Sequence, residues 1–180
     1  MSYSAVYMLY IVGEVRGVTY LDNIVYVVCW WSSTIRLYNT DTLSPLDVVI
    51  NVTGMIDPRD IVVCRHDHQL YVAELHCIWR VSVDDHSYVK WMNTQFRIWT
   101  LSVTSRHLLV TSSKPPTVRQ YNTTNNELLC VVQLPQYMKY VWHAVETTHS
   151  TFVVCHWGMS QHQLLDAVSE LLRFCHVLQH

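Results

Sequence analysis

The sequence predicts an all-β chain, a β-propeller arc of four-stranded antiparallel blades with a short C-terminal helix. Three observations carry this expectation. A local pattern recurs at roughly the 40-residue period of propeller blades; Val, Ile, Tyr, Trp and Thr fill the apolar runs, which suits pleated surfaces; and helical spacing of apolar residues occurs in one stretch near the C-terminus.

The repeat is anchored on Val25-Tyr26-Val27, Leu70-Tyr71-Val72 and Leu108-Leu109-Val110, with Thr151-Phe152-Val153 as a weaker fourth anchor. Tyr71, Leu109 and Phe152 follow in steps of 45, 38 and 43 residues from Tyr26. Each anchor has an apolar run before it and two further runs after it, separated by turn-forming residues, so each period holds four strands. The first blade, residues 16–52, divides into Gly17 to Leu21, Ile24 to Trp30, Thr34 to Asn39 and Leu46 to Val52. The second, 57–93, divides into Asp60 to Cys64, Gln69 to Glu74, Cys77 to Val83 and Ser87 to Met92. The third, 97–135, contains Trp99 to Val103, His107 to Ser112, Thr117 to Tyr121 and Leu128 to Leu134. An incomplete fourth, 140–158, holds Trp142 to Glu146 and Thr151 to Cys155, and residues 5–12 read as the outer strand of a preceding blade. Residues 1–158 thus form a partial propeller.

Residues 159–180 read differently. Leu164, Leu165, Val168, Leu171, Leu172, Cys175 and Leu178 recur at three- and four-residue steps, which predicts an amphipathic helix over Gln161 to Leu178 covering an open sheet edge. An arc without polar caps leaves strand edges and apolar faces in water. The chain is therefore expected to be a fragment of a longer scaffold, or to self-associate through open propeller edges.

Composition narrows the function classes. Half of the 180 residues are hydrophobic and 14% are charged, with a formal charge of −2, and the pI is near 6.6. That balance disfavours nucleic acid as a partner. No apolar run approaches the ~18 residues of a bilayer span, and the first residues lack a basic segment followed by a cleavage site, so a cytoplasmic location is expected. The six cysteines are widely spaced, four of them closing apolar runs, which predicts reduced, packed thiols rather than a disulfide framework.

Asp57-Pro58-Arg59-Asp60-Ile61-Val62-Val63, through Leu70-Tyr71-Val72-Ala73-Glu74 to Ile78-Trp79-Arg80-Val81, resembles the NHL-repeat pattern of six-bladed propellers. Arg16-Gly17-Val18 with Val25-Tyr26-Val27 and Ile35-Arg36-Leu37-Tyr38 is similar, and the resemblance covers about Arg16 to Cys155. It implies a propeller that binds partners on a rim, or, as in some such propellers, a metal-assisted hydrolase or lyase with carboxylates and histidines in the central channel, or an RNA-binding module. The family's Asp-Gly pair in the first turn is replaced here by Arg65-His66-Asp67-His68 and Ser105-Arg106, and only Glu74 and Glu146 stand where channel carboxylates are needed.

The leading expectation is a noncatalytic protein-interaction module binding a protein or peptide, with no cofactor and no catalytic residue. In an antiparallel meander the turns after each second strand share an edge with the beginnings of the first strands. That rim collects Trp30, Trp31, Arg59, His76, Arg97, Lys114, His156 and Trp157 as candidate binding residues, since tryptophan and arginine dominate interface hot spots. Cys64, His66 and His68, with His76 and Cys77 downstream, are the weak candidates for a metal. A strand of about 20 Å separates the two halves of that set, so solvated or structural histidines are expected.

Overall fold

The computed structural model describes residues 13–104, 106–136, 138, 140–146, 151–157 and 175–179. They form consecutive antiparallel meanders. Blade one is β1 (Val15–Leu21), β2 (Ile24–Cys29), β3 (Thr34–Asn39) and β4 (Pro45–Asn51). Blade two is β5 (Asp60–Cys64), β6 (Gln69–Ala73), β7 (Cys77–Ser82) and β8 (Tyr88–Asn93). Blade three is β9 (Ile98–Val103), β10 (His107–Ser113), β11 (Pro116–Asn122) and β12 (Leu128–Gln133). Blade four is β13 (Tyr140–Glu146), β14 (Thr151–Trp157) and β15 (Cys175–Gln179). Within each blade the strands pair in sequence order, and the inner strands β1, β5, β9 and β13 pack successively against one another.

The tail needs a correction. Cys175–Gln179 is a strand antiparallel to β14, with Phe152 opposite Leu178 and Val154 opposite His176, where a helix was expected. A stripe of apolar residues satisfies several periodicities over so short a span, and the unpaired edge of β14 supplies hydrogen bonds that a helix would leave in water. Residues 161–174 of that predicted helix, and the predicted outer strand 5–12, lie outside the described residues.

The anchors recur because each second strand is buried on both faces. Tyr26 and Val28 pack toward blade two together with Ile61, Leu70 and Val72. Tyr71 and Ala73 on the other face of β6 join Leu101, Leu108 and Val110 of blade three. Leu109 then faces Val141, Ala144, Phe152 and Val154 of blade four. Alternate residues thus serve alternate interfaces, and near-continuous apolar runs follow. In blade four the phase is displaced by one. Phe152 and Val154 both face blade three, and it is Val154, opposite Ala144, that stands where Val27, Val72 and Val110 stand in the earlier blades, one residue later than the anchor Thr151-Phe152-Val153.

Polar ties supplement this packing. Asp60, at the start of β5, accepts hydrogen bonds from the Ile61 amide at 2.9 Å and from the Leu101 amide on β9 at 2.8 Å. The Ser102 hydroxyl of β9 donates to the Ala144 carbonyl of β13. Burial outweighs the two amide bonds and pushes the Asp60 carboxyl up to about 6. A carboxyl raised above its unfolded value stabilises the fold most when protonated, so its contribution is full below the unfolded pKa and is lost as pH rises through about 6. Between pH 7 and pH 4 the stability of the wild type should therefore rise relative to Asp60→Asn by up to about 3 kcal/mol. Urea titrations at both pH values measure the difference, and a constant difference would show that the carboxyl titrates normally.

Candidate functional site

The edge carrying the β2–β3, β6–β7 and β10–β11 turns presents an aromatic and cationic surface built at the starts of the inner strands. Counting from the inner-strand residue opposite Val27, Val72, Val110 and Val154, the residue two places earlier is Arg16, Arg59, Trp99 and Trp142. Irregular registers fall at three of these positions, between Val15 and Gly17, opposite Val110 to Ser112, and between Val141 and His143. Bulges of this kind re-aim side chains.

Two stacked groups result. Arg59 lies over the Trp99 ring at 5.9 Å from its centroid, and Trp99 meets Trp142 edge-on at 5.6 Å. Arg16 lies over the Trp30 ring at 4.4 Å, and Trp30 packs beside Trp31 at 5.9 Å. Each cation also has an acid beside it, Glu14 at 3.3 Å from Arg16 and Asp57 at 3.5 Å from Arg59. Trp31 is 69% exposed and Trp142 47% exposed, and neither indole is needed to close an interior. Trp31 also has a φ of 54°, a left-handed conformation that costs a residue with a Cβ about 1–2 kcal/mol. Backbone outliers of this kind concentrate at functional sites.

The sequence-predicted rim residues are distributed along this edge. Trp30 and Trp31 occupy the β2–β3 turn, His76 the β6–β7 turn and Lys114 the β10–β11 turn, while Arg59 and Arg97 immediately precede β5 and β9 and Trp157 ends β14. His76 lies 3.1 Å from the Phe96 carbonyl through Nδ1, which ties the β6–β7 turn to the segment leading into β9. His156 is a correction. It is 7% exposed, because it lies on the same face of β14 as Phe152 and Val154, which are buried against blade three, and its imidazole is not part of the surface. Arg16, Trp99 and Trp142 were missed. The signal that finds them is their shared position before each inner-strand core.

The metal candidates do not converge. Cys64 donates to Asp67 at 3.5 Å, His66 Nδ1 lies 2.6 Å from the other oxygen of Asp67, and His68 faces Asp84 at 3.4 Å. Burial raises the Cys64 thiol pKa, and burial with the adjacent Glu74 pushes Cys77 up to about 12. Both thiols stay protonated, whereas a metal takes the thiolate. Among the described residues no three His, Cys, Asp or Glu side chains are placed to hold an ion.

The two carboxylates considered for a channel site are committed to structure. Glu74 accepts from the Ile56 and Asp57 amides at 2.7 and 2.9 Å, from the Trp79 indole at 2.6 Å and from Cys77 at 3.1 Å. Burial alone would raise its pKa, but these bonds outweigh it and hold the carboxyl below the usual glutamate range. Glu146 accepts from Gln120 at 2.9 Å and lies 3.6 Å from His107.

No protein-family model matches the chain, and no curated protein matches it in sequence. Solved structures do match in shape. The computationally designed Ika4 protein superposes with a TM-score of 0.67 at 12% identity, covering 99% of each chain. Hydrazine synthase of Kuenenia stuttgartiensis gives 0.67 at 12% identity over 85% of this chain and 47% of its own, and the β-propeller domain of Cps50 (Swd1) from Myceliophteria thermophila gives 0.61 at 9% identity over 84% and 55%. The chain thus spans about half the length of these two natural proteins. At such identities the likeness is one of architecture, and with the successive four-stranded meanders it gives the chain a β-propeller fold.

Proposed function

We propose that this protein is a noncatalytic interaction module that engages a protein or peptide on the edge formed by Arg16, Trp30, Trp31, Arg59, Trp99 and Trp142. The observation that carries the reading is the pair of cation–indole groups, with Trp31 and Trp142 left open to solvent. Tryptophan offers a large contact area that loses little conformational entropy on binding, and arginine adds directed donors, so a few such residues supply most of an interface's energy. Arg59 and Arg16 are already oriented by stacking and by Asp57 and Glu14, which lowers the ordering cost of association.

Peptide display on the purified protein tests this. Selected peptides should bind the wild type, and the Trp31→Ala/Trp142→Ala double variant should weaken them by at least roughly tenfold, the loss of a modest hot spot. Leu128→Ala, an exposed change on β12, should leave them unaffected. Peptides that bind the double variant as well as the wild type would overturn the assignment of the surface.

A further inference from the structure

The opposite edge holds a feature that the rim does not use. Between blade two and the β11–β12 turn of blade three lies a cleft of about 430 Å³, lined by Asp67, Gln69, Tyr71, Arg80, Ser82 and Ser87, with Thr123 and Thr124 across from them. This is within the size range of small-molecule sites.

The cleft exists because one sheet face changes character along its length. Gln69 and Tyr71 on β6 lie opposite Ser82 and Arg80 on β7, and Arg80 lies opposite Val89 on β8. Toward the rim this same face is apolar, with Ala73, Ile78 and Trp91 packed against blade three. Toward the other edge it turns polar and the blades part. Blade one shows the alternative. Leu37 stands opposite Tyr26 as Arg80 stands opposite Tyr71, and Leu37 is buried in the interface between blades one and two. Blade two therefore places a guanidinium where an apolar side chain would have sealed the interface.

Two side chains of opposite charge, Arg80 and Asp67, face this space without pairing to each other. Among the described residues Arg80 has no carboxylate within ion-pair distance, and it lies beside the Tyr71 hydroxyl, which donates to the Thr123 carbonyl at 3.3 Å. Asp67 is anchored by His66 and Cys64. The Arg106 Nε–H donates to His66 Nε2 at 3.2 Å, and the other ring nitrogen of His66 lies 2.6 Å from Asp67. Burial would raise the Asp67 carboxyl, but hydrogen bonds from Thr123, His66 and Cys64 outweigh it and hold the group below the usual aspartate range, so it faces the cleft as a carboxylate. Gln69, Ser82, Ser87 and Thr124 add neutral donors and acceptors around the same space.

We propose that this cleft binds a small zwitterion, an amino acid or dipeptide, with its carboxylate on Arg80 and its ammonium on Asp67. A guanidinium fork matches a carboxylate in two parallel hydrogen bonds, and a ligand carrying both charges satisfies both residues at once. A simple anion would meet the Asp67 charge, and a simple cation would meet Arg80.

Free amino acids and dipeptides, screened by thermal shift and followed by calorimetry on the full chain, test the proposal and separate the two ligand sizes. The expected result is a member of the panel with a dissociation constant below about 1 mM. Acetylating its amine or amidating its carboxylate should each weaken binding at least roughly tenfold. Arg80→Leu, which installs the residue type found at the matching position of blade one, should abolish binding while leaving the melting transition and circular dichroism intact. Should that variant fail to fold, Arg80→Gln and the blocked ligands carry the same test. A panel without binders, or binding indifferent to the blocking groups or to Arg80, overturns the proposal and leaves the rim reading untouched.

Discussion

Glu74→Ala is expected to lower the stability of the protein by about 3–4 kcal/mol, the upper range for a single substitution that breaks a buried polar network. The carboxylate gathers two main-chain amides of the segment between β4 and β5, one indole and one thiol. Alanine orphans all four donors, of which the Trp79 and Cys77 groups belong to buried residues and cannot turn to water. The segment they hold carries Asp57 and Arg59 into the rim. The same change should therefore mobilise the cation stacked on Trp99. Thermal melting should show a fall of roughly 10 °C for a domain of this size. Glu74→Gln, which keeps one acceptor oxygen, should fall between the two. A melting temperature within a degree or two of wild type for Glu74→Ala would mean that water replaces the carboxylate.

Gly17→Val is expected to be comparably damaging for the opposite reason. A Cβ at Gly17 would lie 2.7 Å from the Ile61 amide nitrogen and 3.0 Å from the Asp60 Cα, so the new side chain would meet main chain, which cannot swing aside. Overpacking of this kind costs about 1–3 kcal/mol even where neighbours can give, and here the alternative is to part blade one from blade two. Alanine should sit at the low end of that range and valine at or above the high end. Urea unfolding of the two variants checks the ordering. Equal stability for all three would show that β1 slides along β5 at little cost.

The fold was legible because burial on both faces of β2, β6 and β10 writes continuous apolar runs into the chain, and a run such as Val25-Tyr26-Val27 stands out at blade-length spacing. Blade four was read one residue out of phase because Phe152, Val153 and Val154 are all apolar, so residue types alone do not show which of them faces blade three. Turn chemistry was partly legible. Asp22 and Asn126 adopt positive φ, which their short polar side chains tolerate, but Trp31, Leu43, His68 and His86 do so as well, held there by the strands they join. The tail was misjudged over Cys175 to Leu178 because its partner edge, not its own periodicity, decides its state. The rim was legible in outline through its turn tryptophans. Its inner members Arg16, Trp99 and Trp142 required knowing where each first strand begins, and the Arg80 cleft required knowing how far neighbouring blades stand apart.

The strictly sequential pairing of strands also bears on how the chain is made. Each blade can close its own hydrogen-bond ladders as soon as its last strand leaves the ribosome. Its forward face is covered in turn by the strands of the next blade, Ile61, Leu70, Val72 and Trp79 covering blade one and Leu101, Leu108 and Val110 covering blade two. At about 5–20 residues per second, each nascent blade shows water an apolar face for roughly several seconds, and the strands that end that exposure are always the next ones to be synthesised.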